Sequence, residues 1–123
     1  MKHFLLFVAL FLFLTTAVAP AKAVFVEGLE DIPIPDGLHQ IENGNLNFGN
    51  EEIRLIEAYL TSKYLSFGDI TAFYKETLPQ MGWQSRKRSY DRMVFDRDGE
   101  TMEIAKESEN PLVIRLTVKS KLQ

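Results

Sequence analysis

The chain contains no cysteine. That single absence removes disulfides, thiolate metal ligands, a cysteine nucleophile and lipid attachment through a lipobox cysteine. Histidine is nearly as scarce, and of His3 and His39 only the second lies beyond the first 23 residues. A Ser-His-Asp triad or a histidine general base would have to use His39. It stands in an irregular stretch with no serine elbow nearby, so a plain polar loop residue is expected there. One histidine without cysteine is also a poor transition-metal set. Seven glycines occur, but none in a phosphate-cradling loop, a dinucleotide fingerprint or a nucleophile elbow. The expectation is no catalytic residue, no cofactor and no metal.

Positive charge is in the minority, with 14 Lys and Arg against 17 Asp and Glu in 123 residues. Leaving out Lys2 and Lys22, residues 24–123 carry 12 basic and 17 acidic groups, a net charge of −5. Nonspecific nucleic-acid binding is not expected of such a domain.

What is present begins with an export pattern. "MKHFLLFVALFLFLTTAVAPAKA" opens on Lys2 and His3, runs apolar from Phe4 to Leu14 and more weakly to Ala19, and ends on Ala21-Lys22-Ala23. Basic start, apolar run and small residues at the cleavage spacing are the three parts of a secretory signal. Cleavage is expected after Ala23, because Pro20 would follow the competing site at Ala19. The alternative is an uncleaved inner-membrane anchor, with membrane contact through this segment alone. Phe4–Ala19 is shorter than the roughly 20 residues that span a bilayer as a helix. An exported domain without disulfides points to a bacterial periplasm, or to secretion from such a cell.

Residues 24–44 hold Pro33, Pro35, Gly28, Gly37 and Gly44. Prolines two apart force extended backbone. Ile32, Ile34 and Leu38 make the segment too apolar for a disordered linker, so an ordered, surface-anchored arm is expected. A single domain then occupies 45–123. Leu46-Asn47-Phe48 reads as a short strand turning at Gly49-Asn50 into a strand carrying Ile53, Leu55, Ile56, Tyr59 and Leu60. Ser66 and Asp69 form a capping-box pair at a helix start. Ile70, Phe73, Tyr74, Thr77 and Leu78 share one helical face. Pro79 stops the helix, and Gly82 suits the turn that follows.

After Trp83 the period becomes two. Met93 and Phe95 alternate with Arg92, Val94 and Asp96, and Asp98-Gly99 marks a hairpin. Met102 and Ile104 alternate with Thr101, Glu103 and Ala105. Glu109-Asn110-Pro111 turns the chain into Leu112, Ile114, Leu116 and Val118, which alternate with Val113, Arg115, Thr117 and Lys119. One apolar and one charged face imply an antiparallel sheet wet on one side. With Trp83–Arg86 as a further strand, the tail is a four-stranded meander. The predicted fold is α+β, one helix packed across an antiparallel sheet of five or six strands.

Acids are plentiful: Glu51, Glu52, Glu57, Asp91, Asp96, Glu103 and Glu107. They fall on the polar phase of strands or in turns, not across a cleft as a hydrolytic pair requires. "DRDGETMEIAKE", Asp96–Glu107, has acids spaced somewhat like a calcium loop. Its Gly99 is at the fourth position rather than the sixth, so the hairpin reading holds. Two groups remain as candidate sites. Arg86, Lys87, Arg88, Tyr90 and Arg92 form a basic run in an acidic domain, readable as a solvated hairpin tip or as an anion patch. Phe73, Tyr74, Met81, Trp83, Met93, Phe95 and Met102 would line any apolar cavity between helix and sheet, and read otherwise as plain core.

The sequence of "DIPIPDGL", "RLIEAYL" and "ITAFYKETLPQMGW" resembles a family of small exported proteins of Gram-negative bacteria. Its members combine an I-P-x-x-x-G-L arm, a strand, and a helix ending F-Y-x-x-x-L-P-x-x-G-W before a β-meander. The resemblance spans most of the chain beyond Ala23. It implies the fold and export, and carries over no catalytic residue. The function expected is a non-enzymatic envelope module that binds a protein or an anionic polymer. The alternative is a carrier of a small apolar ligand or lipid.

Overall fold

Alternating apolar and polar side chains build most of this molecule. The structure, a computed structural model, describes residues 24–50 and 53–120. The expected signal segment and the acids Glu51 and Glu52 lie outside the described residues. Within them the strands are β1 (Val24–Val26), β2 (Leu29–Ile34), β3 (His39–Gln40), β4 (Leu46–Gly49), β5 (Arg54–Ser62), β6 (Gln84–Ser89), β7 (Arg92–Arg97), β8 (Glu100–Ser108) and β9 (Leu112–Ser120). The helix α1 (Phe67–Thr77) stands between β5 and β6. No helix among these residues is long and apolar enough to cross a membrane.

The strands form one seven-stranded antiparallel sheet in the order β3-β5-β9-β8-β7-β6, with β4 on the same edge of β5 as β3, and a separate β1-β2 hairpin. This exceeds the five or six strands expected. The difference comes from residues 24–44, which the prolines make look like a lone extended arm. Extended backbone is already strand-like, and here it finds partners. Phe25 pairs with Pro33 in the hairpin, and His39 pairs with Thr61 in the main sheet. Proline is tolerated because β2 is an edge strand. His39 is therefore a strand residue, exposed, and not part of an irregular loop.

One face of the sheet is dry. It carries Ile56, Ala58 and Leu60 of β5, Ile114, Leu116 and Val118 of β9, Met102 and Ile104 of β8, and Met93 and Phe95 of β7. Helix α1 with the residue after it, and the β1-β2 hairpin, supply the opposing layer through Ile70, Tyr74 and Leu78, and through Val26, Leu29, Ile32 and Ile34. Each of the Val, Leu, Ile, Met and Phe side chains among them contributes about 1.5–3 kcal/mol on full burial. The hairpin is thus a wall of the core rather than a surface appendage.

The helix forms where its signals fall. The Asp69 N–H donates to Ser66 Oγ at 3.1 Å, and the Ser66 N–H donates to Asp69 Oδ2 at 2.9 Å. These satisfy two of the donors a helix start leaves orphaned. Ile70, Tyr74 and Leu78 are fully buried, whereas Phe73 and Thr77 fall at the half-buried margin of the face. Pro79 is the second residue of a 3-10 turn over Leu78–Met81, and Gly82 takes a left-handed φ of 90°. The Trp83 N–H then returns to the Leu78 carbonyl at 3.1 Å.

Two polar clasps tie the opposing layer together. The Tyr74 hydroxyl donates to the Pro33 carbonyl at 2.7 Å, joining helix to hairpin. Arg97 donates from Nη1 to the Met81 carbonyl at 3.0 Å, pairs through Nη2 with Asp31 at 2.6 Å, and lies 4.3 Å from the centre of the Trp83 ring. It bridges the hairpin, the helix end and the sheet at once.

Burial holds the Tyr74 phenol neutral and pushes its pKa well above the ordinary value. In the unfolded chain the same group ionises near pH 10. A folded-state pKa above the unfolded one gives stability that is complete below about pH 10 and lost as pH rises beyond it. Tyr74→Phe is expected to cost about 1 kcal/mol at neutral pH, through the unpaired Pro33 carbonyl. It should also remove the part of the alkaline destabilisation that Tyr74 causes. Urea melts of both proteins at pH 7 and above pH 10 check this; equal alkaline losses would show that Tyr74 is not the titrating group.

Candidate binding site

Three connections gather at one end of the sheet: the β5-α1 loop, the β6-β7 turn and the β8-β9 turn. The register and backbone record this directly, since Ser62 pairs with Leu112 and the Lys106 N–H donates to the Asp91 carbonyl at 2.9 Å. Loops held at the end of a rigid sheet are where binding groups most often lie.

The basic run falls here, but strand geometry divides it. A bulge in β6 between Ser85 and Lys87 shifts the register, so Lys87 pairs with Val94 and Arg88 with Met93. Lys87 thereby shares the outer, wet face with Arg86, which lines an outer hollow with Val94, Thr101, Glu103, Thr117 and Lys119. Arg88 is on the helix side. Arg86 pairs with Asp96 at 3.1 Å and Arg92 with Glu103 at 3.7 Å. Of the four cations, only Lys87 and Arg88 make no ion pair among the described residues. The run has a structural use as well. β6 is an edge strand, and cations with a bulge discourage another chain from pairing along it.

The outer face is otherwise a charge lattice. Arg115 holds Glu103 at 3.3 Å and Glu107 at 2.8 Å. Burial opposes its charge, but the two carboxylates outweigh that and raise its pKa. The Tyr59 hydroxyl donates to Glu57 at 3.1 Å; partial desolvation first, and then this hydrogen bond, raise its pKa. Asp91 accepts from the Ser89 hydroxyl, and Asp96 from the Thr101 hydroxyl. Each of these acids thus has a local partner, as surface acids do. Asp96–Glu107 lies in the β7-β8 hairpin, with Asp98 and Gly99 at its tip. Among the described residues no group of three or more His, Asp or Glu is placed to hold a metal.

The candidate cavity residues are core. Tyr74, Trp83, Met93, Phe95 and Met102 are 2% exposed or less and belong to one cluster, with Phe73 and Met81 packed against it. One polar atom among them, the buried Trp83 Nε1–H, has no acceptor among the described residues.

Two open hollows flank the start of α1. One, of about 500 Å³, is lined by Phe67, Gly68, Thr71, Arg88, Ser89 and Tyr90. The other, of about 240 Å³, lies between the β5-α1 loop and the β8-β9 turn, with Lys63, Tyr64, Phe67, Glu109, Asn110 and Pro111 among its walls. Phe67 lines both. Lys106 Nζ stands 5.5 Å from the centre of the Tyr90 ring and is tied to Glu109 at 2.6 Å, a hydrogen bond that raises its pKa. Sequence reasoning reached Arg88 and Tyr90 but missed Lys63, Tyr64, Phe67 and Pro111. Tyr64 had a signal: it belongs neither to the alternation of β5 nor to the apolar face of α1. Comparison with protein-family models, with curated proteins and with solved structures found no match for this chain.

Proposed function

We propose that the protein is an exported, non-enzymatic module of the cell envelope that binds an anionic partner at its loop end. The export pattern of residues 1–23 supports the compartment, and the resemblance of the arm and helix end to exported proteins agrees with it. The observation that carries the binding reading is the pairing of Arg88 with Tyr90 at the rim of one hollow. There a cation without an ion pair among the described residues stands beside an exposed ring, in a domain of net charge −5 beyond Ala23. A local positive site in a negative field selects anions by position rather than by bulk charge.

Charge reversal tests the reading. With Arg86, Lys87 and Arg88 all changed to Glu, cosedimentation of the purified protein with envelope fractions is expected to fall by about tenfold or more, a loss of about 1.4 kcal/mol or more in binding. Far-UV circular dichroism should stay unchanged, because all three are exposed. Undiminished cosedimentation of the folded variant would refute the anionic partner.

The second reading, a carrier of a small apolar ligand, has one observation in its favour: the unpaired Trp83 Nε1–H amid the residues that would line such a cavity. A ligand with an acceptor would satisfy it. Native mass spectrometry of protein purified from its own envelope separates the readings, since a carrier brings its ligand with it.

A further inference from the structure

The two hollows beside Phe67 have a common design. Each has an exposed tyrosine at its rim and a cation next to it. Tyr64 and Tyr90, at 87% and 85% exposure, are the most exposed large apolar side chains among the described residues. Lys63 adjoins the first, and Arg88 and Lys106 accompany the second. Neither Lys63 nor Arg88 has an ion-pair partner among the described residues. An exposed aromatic face is poorly hydrated and gains by being covered. Two such faces on either side of one shared wall fit a ligand that repeats.

We propose that the hollows form one groove for a linear acidic glycan, with Tyr64 and Tyr90 as stacking platforms and Lys63 and Arg88 as carboxylate partners. This deepens the anionic-partner reading and rests on it. A sugar ring presents a face of C–H groups that lies flat on tyrosine, while its rim of hydroxyls meets polar side chains. Ser89, Thr71 and Asn110 stand in the two hollows to meet that rim. Uronate units along the polymer return the same carboxylate to each end of the groove; at one end the planar Arg88 fork donates two hydrogen bonds to it, and at the other Lys63 meets it. Single-stranded nucleic acid is the competing ligand with stacking faces and negative charge. The acidic balance of the chain disfavours it, because its affinity depends on many phosphate contacts at once.

Titration calorimetry with a linear hexagalacturonate tests the groove. Its methyl ester supplies the same backbone without charge, and an oligo-dT supplies the competing chemistry. Tyr64→Ala, Tyr90→Ala and Arg88→Gln are each expected to weaken hexagalacturonate binding by about tenfold or more, with Tm unchanged, and the ester to bind at least as poorly. Equal binding of the ester would overturn the acidic requirement. Oligo-dT binding as tightly, with the same tyrosine dependence, would overturn the glycan. If Tyr64→Ala leaves binding intact while Tyr90→Ala and Arg88→Gln abolish it, the groove fails and the tip alone binds. Absence of hexagalacturonate binding, with charge-sensitive envelope cosedimentation retained, would sink the glycan and leave the broader reading standing. Loss of charge sensitivity in the cosedimentation assay would sink that reading itself.

Discussion

Trp83→Ala is expected to lower the unfolding free energy by about 3–5 kcal/mol, the range for removing a large aromatic from a core. The indole is 1% exposed and lies within the main cluster. Its truncation leaves a cavity that a sheet on one side and a proline-stopped helix on the other have little freedom to fill. It also strips the Arg97 guanidinium of the ring 4.3 Å away. Arg97 keeps Asp31 and the Met81 carbonyl, so the clasp weakens without leaving a bare charge. Trp83→Phe should cost less, since it retains a ring and removes a buried N–H that has no acceptor among the described residues. Urea unfolding followed by far-UV circular dichroism measures both. An alanine variant as stable as wild type would show that the indole is not part of the core.

Ile32→Ala should be nearly as damaging, at about 2–5 kcal/mol. The result separates two views of residues 24–44. For an arm resting on a finished domain, truncating one aliphatic contact costs well under 1 kcal/mol, as surface substitutions usually do. Ile32 is instead fully buried together with Val26 and Leu29. Its loss opens the wall that the hairpin lends to the core. The midpoint of the same urea melt decides, and a shift within error of zero would return the segment to the status of an arm.

Some parts of this fold were written plainly in local sequence. Ser66, Asp69, Pro79 and Gly82 bound the helix, and the alternation from Arg92 to Ser120 lays out β7, β8 and β9. Each of these signals acts within a few residues, where propensity and hydrogen-bond accounting are strongest. The pairing of β3 with β5 joins segments about 20 residues apart, and prolines in β2 hide its strand character, so neither could be read from the local pattern. The basic run taught a different lesson. Adjacent letters suggested one patch, but a bulge and the two-residue period of a strand spread Lys87 and Arg88 over opposite faces. The hollows beside Phe67 draw on residues 63–67, 88–90 and 109–111, whose nearness is a product of topology alone. Arg88 and Tyr90 were legible as part of the basic run, and Tyr64, an aromatic with no place in strand or helix, was a further hint.

The position of β9 has a consequence for the life of the chain. It is the last of the described strands to be made, yet it lies between β5 and β8 near the middle of the sheet. Until it leaves the ribosome, β5 and the β6-β8 meander have no strand to join them, and α1 and the hairpin have only parts of a surface to cover. Folding by such long-range pairing is slow. A nascent chain of this design stays open while it grows, and any translocation machinery that threads unfolded polypeptide receives it in a state it can use.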